Sequence, residues 1–291
     1  MKAHEPVDLA DGPIPVRSVR ASGGSTLTES DITFTADGSV LSPSHLVVQL
    51  RPDPAEPNAV TPLADLLSTV RVSVVLPTLN EADNLPHVLR RMPAEVFEVI
   101  LVDGNSTDGT VAVAKELWPR LTVVNQVGLG KGNALTCGFW AATGDVIVML
   151  DADGSTDPAE IPRFVAALLT GADYAKGSRF IAGGGSADIT ALRQVGNWGL
   201  AKLVNLFWGG QYSDLCYGYN AFWRRCLPFL SPDCKGFEVE TLINIRAARA
   251  KLKIHEVPSY EHSRQHGRSN LDARRDGLRV LRTIVAERLR P

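Results

Sequence analysis

Between residues 71 and 150 the chain alternates short, unbroken apolar runs with longer mixed segments. Val72 to Leu76 is β-branched and stops at Pro77. Val99 to Val102 stops at Asp103-Gly104, Leu121 to Val124 is a third run, and Val146 to Leu150 ends at Asp151. Runs of this length without polar alternation fit strands covered on both faces. The segments between them, roughly 82–92, 108–117 and 131–142, have helical character, and Thr107-Asp108-Gly109-Thr110 offers a cap for the second. Strands alternating with helices predict an α/β fold with a mostly parallel central sheet flanked by helices. In such sheets ligands sit beyond the carboxyl ends of the strands, so the residues just after each run are the ones to read.

Each of the four strand ends is polar or glycine-rich. They read Pro77-Thr78-Leu79-Asn80-Glu81, Asp103-Gly104-Asn105-Ser106, Gly128-Leu129-Gly130-Lys131-Gly132 and Asp151-Ala152-Asp153-Gly154-Ser155. The last holds two carboxylates at i and i+2, which share a face of a strand. Hard oxygen donors of this kind suit Mg2+ or Mn2+ bridging to a substrate phosphate. The glycine-rich segment lacks the spacing of a P-loop and of a dinucleotide fingerprint. It leaves a flexible backbone and a cation opening a helix, where a diphosphate can approach. A purely structural turn explains the same residues.

Composition adds boundaries. The chain has 291 residues, 44% of them hydrophobic and 21% charged, with a net charge of −2. This is the profile of an ordinary globular protein, and it excludes a wholly basic nucleic-acid binder. No stretch reaches the ~18 uninterrupted apolar residues of a membrane span, and the N-terminus shows no apolar leader. The four cysteines form no CxxC pair, so reduced thiols in a cytoplasmic protein are expected. Residues 1–70 hold 8 of the 18 prolines, with 4 basic and 9 acidic residues. They read as an N-terminal tail or small appendage, partly disordered, with strand-like pieces at 31–35 and 45–50. Residues 246–291 carry 12 basic and 5 acidic residues, a balance suited to phosphate or an anionic surface. The final segment, 271–289, predicts a basic amphipathic helix with Leu278, Leu281, Ile284, Val285 and Leu289 on one face. Packing on the catalytic body or a homodimer explains that pattern equally.

Taken together, VSVVLPTLNEADNL, VDGNSTDGT, GLGKGNAL and DADGSTDP, followed by Gly177-Ser178-Arg179-Phe180, the block 212–219 and the block 257–271, resemble family-2 glycosyltransferases of the GT-A fold. The similarity is greatest to the dolichol-phosphate mannose synthase type. The resemblance implies a Rossmann-like catalytic domain over 71–291. It implies inverting transfer of a hexose from UDP-glucose or GDP-mannose, with Mg2+ or Mn2+, to a polyprenyl-phosphate acceptor. By position, Pro77, Leu79, Glu81, Asp103, Gly130, Lys131 and Ala152 would bind the nucleotide-sugar, and Asp151 and Asp153 would also hold the metal. Arg179, Arg193, Arg264 and Arg268 would meet diphosphate or acceptor phosphate. Gly104, Ser155 and Asn270 depart from the residues usual in the family at those places.

A phosphate acceptor is already ionised, whereas a hydroxyl needs a base. Asp214 is the candidate base, Arg179 is a second candidate catalytic residue, and Glu238 and Glu240 are the runners-up for the base. His262 or His266 offers a third metal ligand, and Trp198, Trp208, Trp223 and Phe207 offer an apolar acceptor platform or plain core. Two other readings stay open: the same chemistry on a soluble small molecule or glycan, and a nucleotide-sugar binding module without catalysis. Peripheral contact with the inner face of a membrane follows from the lipid acceptor.

Overall fold

The computed structural model describes residues 60–267 and 272–290, with short strands at 19–20, 26–27, 32–33 and 47–50. Most of the expected N-terminal tail, and Arg268, lie outside the described residues. Within that tail Ile32–Thr33 and Val47–Leu50 do form strands, which join Val60–Pro62 in a small antiparallel sheet.

The body is built on a seven-stranded sheet. Its first strands are β1 (Val72–Thr78), β2 (Glu98–Asp103), β3 (Thr122–Asn125) and β4 (Val146–Met149). Beyond them come β5 (Tyr174–Ser178), a two-residue β6 (Gly185–Ser186), β7 (Asn220–Trp223), β8 (Ile254–Pro258) and a two-residue β9 (Tyr260–Glu261). The large sheet runs β8-β5-β7-β4-β1-β2-β3, and β6 pairs with β9 outside it. Pairings are parallel except where β7 runs against β4 and β5. The four apolar runs thus became the four adjacent strands β1 to β4.

Side chains alternate between two buried layers. Val72, Val74 and Leu76 face one core with Val99, Leu101, Val146 and Val148, while Val75, Ile100, Val102, Ile147 and Met149 face the other. The first core is closed by α1 (Leu85–Leu89), α2 (Thr110–Leu117) and α4 (Ile161–Leu169). The second is closed by α3 (Lys131–Ala141), α6 (Leu227–Leu230) and α7 (Val239–Arg249). This double coverage is why the runs carry no polar alternation. A third, smaller core joins α5 (Ala191–Trp208), α7 and α8 (Ala273–Leu289) through Val204, Ile245, Val280 and Ile284.

Chain order reverses between β1 and β4. The chain leaves β1 toward β2 and β3 on one side, then returns to place β4 on the other. The carboxyl ends of these strands open at that switch point, where open α/β sheets bind ligands. A cleft of about 1440 Å³ lies there.

Candidate active site

One end of the cleft is made by the loops after β1 and β2. Asn80 and Asn105 both take left-handed backbone conformations, at φ of 57° and 67°. Each loop is tied to the other. Ser106 Oγ accepts from Asn80 N at 2.9 Å, Asn80 Oδ1 accepts from Thr107 N at 2.9 Å, and Thr110 Oγ1 accepts from Glu81 N at 2.9 Å. Pro77, Leu79, Glu81 and Gly104 line the wall, and Leu79 and Leu129 expose apolar edges to it. Asp103, expected at the nucleotide-sugar, is buried and accepts from Asn105 N and Ser106 N at 3.2 Å, so its carboxylate orders its own loop. Gln126 lines the cleft next to it and donates to Gly130 O at 2.8 Å. That residue had no motif to mark it.

The segment Asp151-Ala152-Asp153 follows β4 in the cleft. Lys131 Nζ lies 2.6 Å from Asp151 Oδ1 and 2.6 Å from Glu240 Oε1. Burial acts to lower the Lys131 pKa, but the two carboxylates outweigh it and hold the ammonium well above its usual value. Arg264 joins Asp153, at 3.2 Å, to Glu81, at 2.6 Å. Ser155 donates from N and Oγ to Asp153 Oδ1, at 3.0 and 2.6 Å. Ala152 lies between the two aspartates, buried at the cleft wall. Gly218 lies so close that a Cβ there would stand 2.9 Å from Asp151 Oδ2 and 3.1 Å from Lys131 Nζ.

These donors fit a divalent ion. Both carboxylates face the cleft, and the strong partners they hold are cations, which occupy the electrostatic role of a metal. Mg2+ or Mn2+ needs few protein ligands when phosphates and water supply the rest. Among the described residues no cluster of three or more His, Cys, Asp or Glu is placed to hold a metal. The backbone amides of His262 and His266 donate to Ser155 O at 2.8 Å and Asn84 Oδ1 at 2.9 Å, which lays the 262–267 segment over the 151–155 loop.

The glycine-rich segment also has a local cause. Gly130 has φ 83° and ψ 165°, a region held almost solely by glycine, and a Cβ there would run into Lys235 O. A Cβ on Gly132 would stand 2.5 Å from Cys234 O. Gly132 N donates to Lys235 O at 3.2 Å. The segment is packed against the 234–236 loop, and Lys131 is thereby aimed at Asp151.

At the far end of the cleft the expected base, Asp214, is enclosed by cations. Asp214 is 0% exposed and does not line the cleft. Its oxygens accept from Arg179 Nε at 2.7 Å and Nη2 at 3.0 Å. Burial alone would raise its pKa, yet Lys176 and Arg179 pull it below the usual carboxylate range. A buried carboxylate held ionised by two cations is a counter-ion and has no open path to an acceptor proton. Arg179 reaches the cleft wall but is shared with Glu261, whose oxygens lie 3.0 and 3.1 Å from Nη1. Glu261 belongs to no short sequence motif. Arg193 lines the cleft and pairs with Asp188 at 2.9 Å.

Glu240 is buried beside Lys131, and burial raises its pKa. Glu238 lines the cleft, and its Oε2 lacks a hydrogen-bond partner, with Arg279 Nε 3.8 Å away. Asn197, also unmarked in sequence, is buried in the wall. Its Oδ1 accepts from Leu215 N and Cys216 N, while Nδ2 has no hydrogen-bond partner. The expected aromatic platform is not assembled. Trp223 packs in the sheet core and donates to Ala172 O at 3.0 Å, whereas Trp198 faces outward on α5.

The model for Glycosyl transferase family 2 matches residues 73–242. The chain belongs to this family. It is 32% identical over 230 residues to the polyprenol monophosphomannose synthase of Mycolicibacterium smegmatis, covering 72% of this chain and 83% of that protein. It is also 32% identical over 216 residues to the undecaprenyl-phosphate mannosyltransferase of Micrococcus luteus, covering 69% and 88%. Among solved structures it is similar to glucosyl-3-phosphoglycerate synthase from Mycobacterium tuberculosis in complex with Mn2+, UDP-glucose and phosphoglyceric acid. The TM-score is 0.64 and the identity 27%, covering 79% of this chain and 84% of that one. The family-2 chain has the GT-A fold and is a glycosyltransferase, which sets aside the non-catalytic module.

Proposed function

We propose that this glycosyltransferase moves a hexose, with inversion, from UDP-glucose or GDP-mannose to a polyprenyl phosphate, using Mg2+ or Mn2+ held by Asp151 and Asp153. The observation that carries the reading is the pair of cleft-facing carboxylates, each already matched to a cation, at the end of β4. The relatives named for polyprenyl-phosphate mannosyl transfer support the acceptor.

The nucleoside would lie against Pro77, Leu79 and Gln126 in the loops after β1 to β3. Lys131 and Arg264 would meet the diphosphate, since both already flank the aspartates and both carry a positive charge. When bound, the divalent ion supplies Lewis-acid stabilisation of the leaving diphosphate. An oxygen of the acceptor phosphate forms the new bond to the anomeric carbon. The bond from that carbon to the diphosphate breaks, and the electron pair leaves with the nucleoside diphosphate. No proton needs to be removed from an ionised phosphate, which agrees with an Asp214 closed off by Arg179. Arg193 and Lys235, which line this end of the cleft, would orient the acceptor.

A soluble hydroxyl acceptor is the second reading. Arg179 is neutralised by two carboxylates, which weakens this end of the cleft as a phosphate site. Glu238, which lines the cleft, would then be the base.

The test is transfer followed by mass spectrometry, with UDP-glucose and GDP-mannose each offered with Mn2+ and short-chain polyprenyl phosphate. Asp153→Asn is expected to lower turnover by about two orders of magnitude. Metal-independent turnover, or a near-normal rate for the variant, would refute the metal assignment.

A further inference from the structure

Helices α5 and α8 are apolar on the side that faces away from the protein. On α5 the buried positions are Asn197, Ala201 and Val204, while Leu192, Val195, Trp198 and Leu206 stand exposed around the opposite side. Gly196 and Gly199, on that same side, meet nothing within 4 Å. On α8 the sequence placed five apolar residues on one face, but the structure divides them. Ile284 is buried with Val280, and Leu278, Leu281, Val285 and Leu289 point outward. Among the described residues these two helices hold eight of the fifteen large apolar side chains that are exposed, at 39% to 78%. Single exposed apolar residues are ordinary, but a concentration of this kind marks a surface that is covered in use.

Position and charge select the occupant. The helices pack on each other through Ala201, Val204, Val280 and Ile284, so the outward stripes belong to one layer. The N-terminal ends of both line the cleft, through Leu192 and Arg193 on α5 and Arg275 and Arg279 in the first two turns of α8. Basic groups border the apolar stripes, with Lys202, Arg282 and Arg288 all exposed. An apolar face rimmed by cations fits the interface of an anionic bilayer, where apolar side chains enter the acyl boundary and cations meet headgroups. Among the described residues no helix is long and apolar enough to cross a membrane.

We propose that the outward faces of α5 and α8 form a docking surface for an anionic lipid bilayer, placing the mouth of the cleft at the headgroup layer. This deepens the polyprenyl-phosphate reading and rests on it for its purpose, since the acceptor phosphate would then enter the cleft with its chain still in the bilayer.

The experiment is co-sedimentation of the full chain with vesicles of phosphatidylglycerol and phosphatidylcholine, against vesicles of phosphatidylcholine alone. Binding to the anionic vesicles, weakened by salt, is expected. The double variant Val195→Glu, Val285→Glu changes two exposed residues outside the cleft. It should bind these vesicles at least ~10-fold more weakly, with an unchanged Tm and unchanged transfer to a water-soluble short-chain polyprenyl phosphate. No sedimentation with anionic vesicles would overturn the proposal, as would equal binding by the double variant. A dimer in light scattering that the double variant splits would assign the face to a second copy and overturn it too. Vesicle binding without any sugar transfer would leave the surface standing and remove the acceptor reading. Transfer to short-chain acceptor without vesicle binding would do the reverse.

Discussion

Among the described residues Arg179 and Asp214 form the best-buried ion pair, with side-chain exposures of 4% and 0%. Taking both charges out of water costs free energy that their attraction offsets only while both are present. Removing one partner leaves the other uncompensated, and such losses run at about 3–5 kcal/mol. Glu261 and Ser186 extend the network, because Glu261 accepts from the Ser186 hydroxyl as well as from Arg179. Lys176 is also buried, and burial holds its pKa down while Asp214 and Glu256 act against it. Asp214 thus has a structural debt to two cations and no exposed oxygen. Asp214→Asn is expected to lower Tm on the order of 10 °C. The turnover that remains below the new Tm should keep its pH profile. A variant with native Tm and a lost acid limb would restore Asp214 as the catalytic base.

At the scale of elements, the strands and the order of the first helices were legible because burial on both faces leaves an unmistakable apolar run. The boundaries drifted where local hydrogen bonds decide them. α1 occupies Leu85–Leu89 within the expected 82–92, since residues 81–84 are spent in turns joined to the neighbouring loop. The twin aspartates were legible for the same reason as the strand that carries them. Glu261, Gln126 and Asn197 were not, because each reaches the cleft through tertiary packing and belongs to no short motif. The glycine-rich segment was read toward a ligand, but its glycines answer first to the 234–236 loop. Gly130→Ala therefore tests the element. Its backbone conformation alone costs about 1–3 kcal/mol for a residue with a Cβ, and the Lys235 carbonyl must move besides. Urea denaturation should show that loss, with Lys131 displaced and KM for the nucleotide-sugar raised. Native stability would mean that the loop yields freely and the glycine serves the ligand.

For the whole molecule, pH connects these local networks to stability. Several carboxylates are held below their usual range in the folded state. Burial acts to raise Asp214, but Lys176 and Arg179 prevail. Burial also acts to raise Glu98, which hydrogen bonds from Ser73, Thr143 and Gly144 reverse. At Asp145 the Arg71 hydrogen bonds lower the value first, against burial. A carboxylate with a depressed folded pKa binds fewer protons folded than unfolded over the interval between the two values. Its contribution is complete above the unfolded pKa, near 4, and is lost as pH falls through the folded one. Glu160 and Glu240 act in the opposite sense. Burial raises both, so each takes up protons earlier in the folded state and recovers stability as pH falls from neutral. Lys131 adds a basic limb: its raised folded pKa gives stability that is full below about 10.4 and fades only as pH rises through the folded value. The expected profile is flat or slightly rising from pH 7 toward 5, then steeply falling below about 4 as the depressed group is protonated. Tm measured from pH 3 to 8 checks this, with Glu240→Gln as the control. That variant should show a smaller rise on mild acidification, the part due to Glu160, and keep the steep acid limb. A profile that falls monotonically from pH 7 would show that the buried glutamates are not raised.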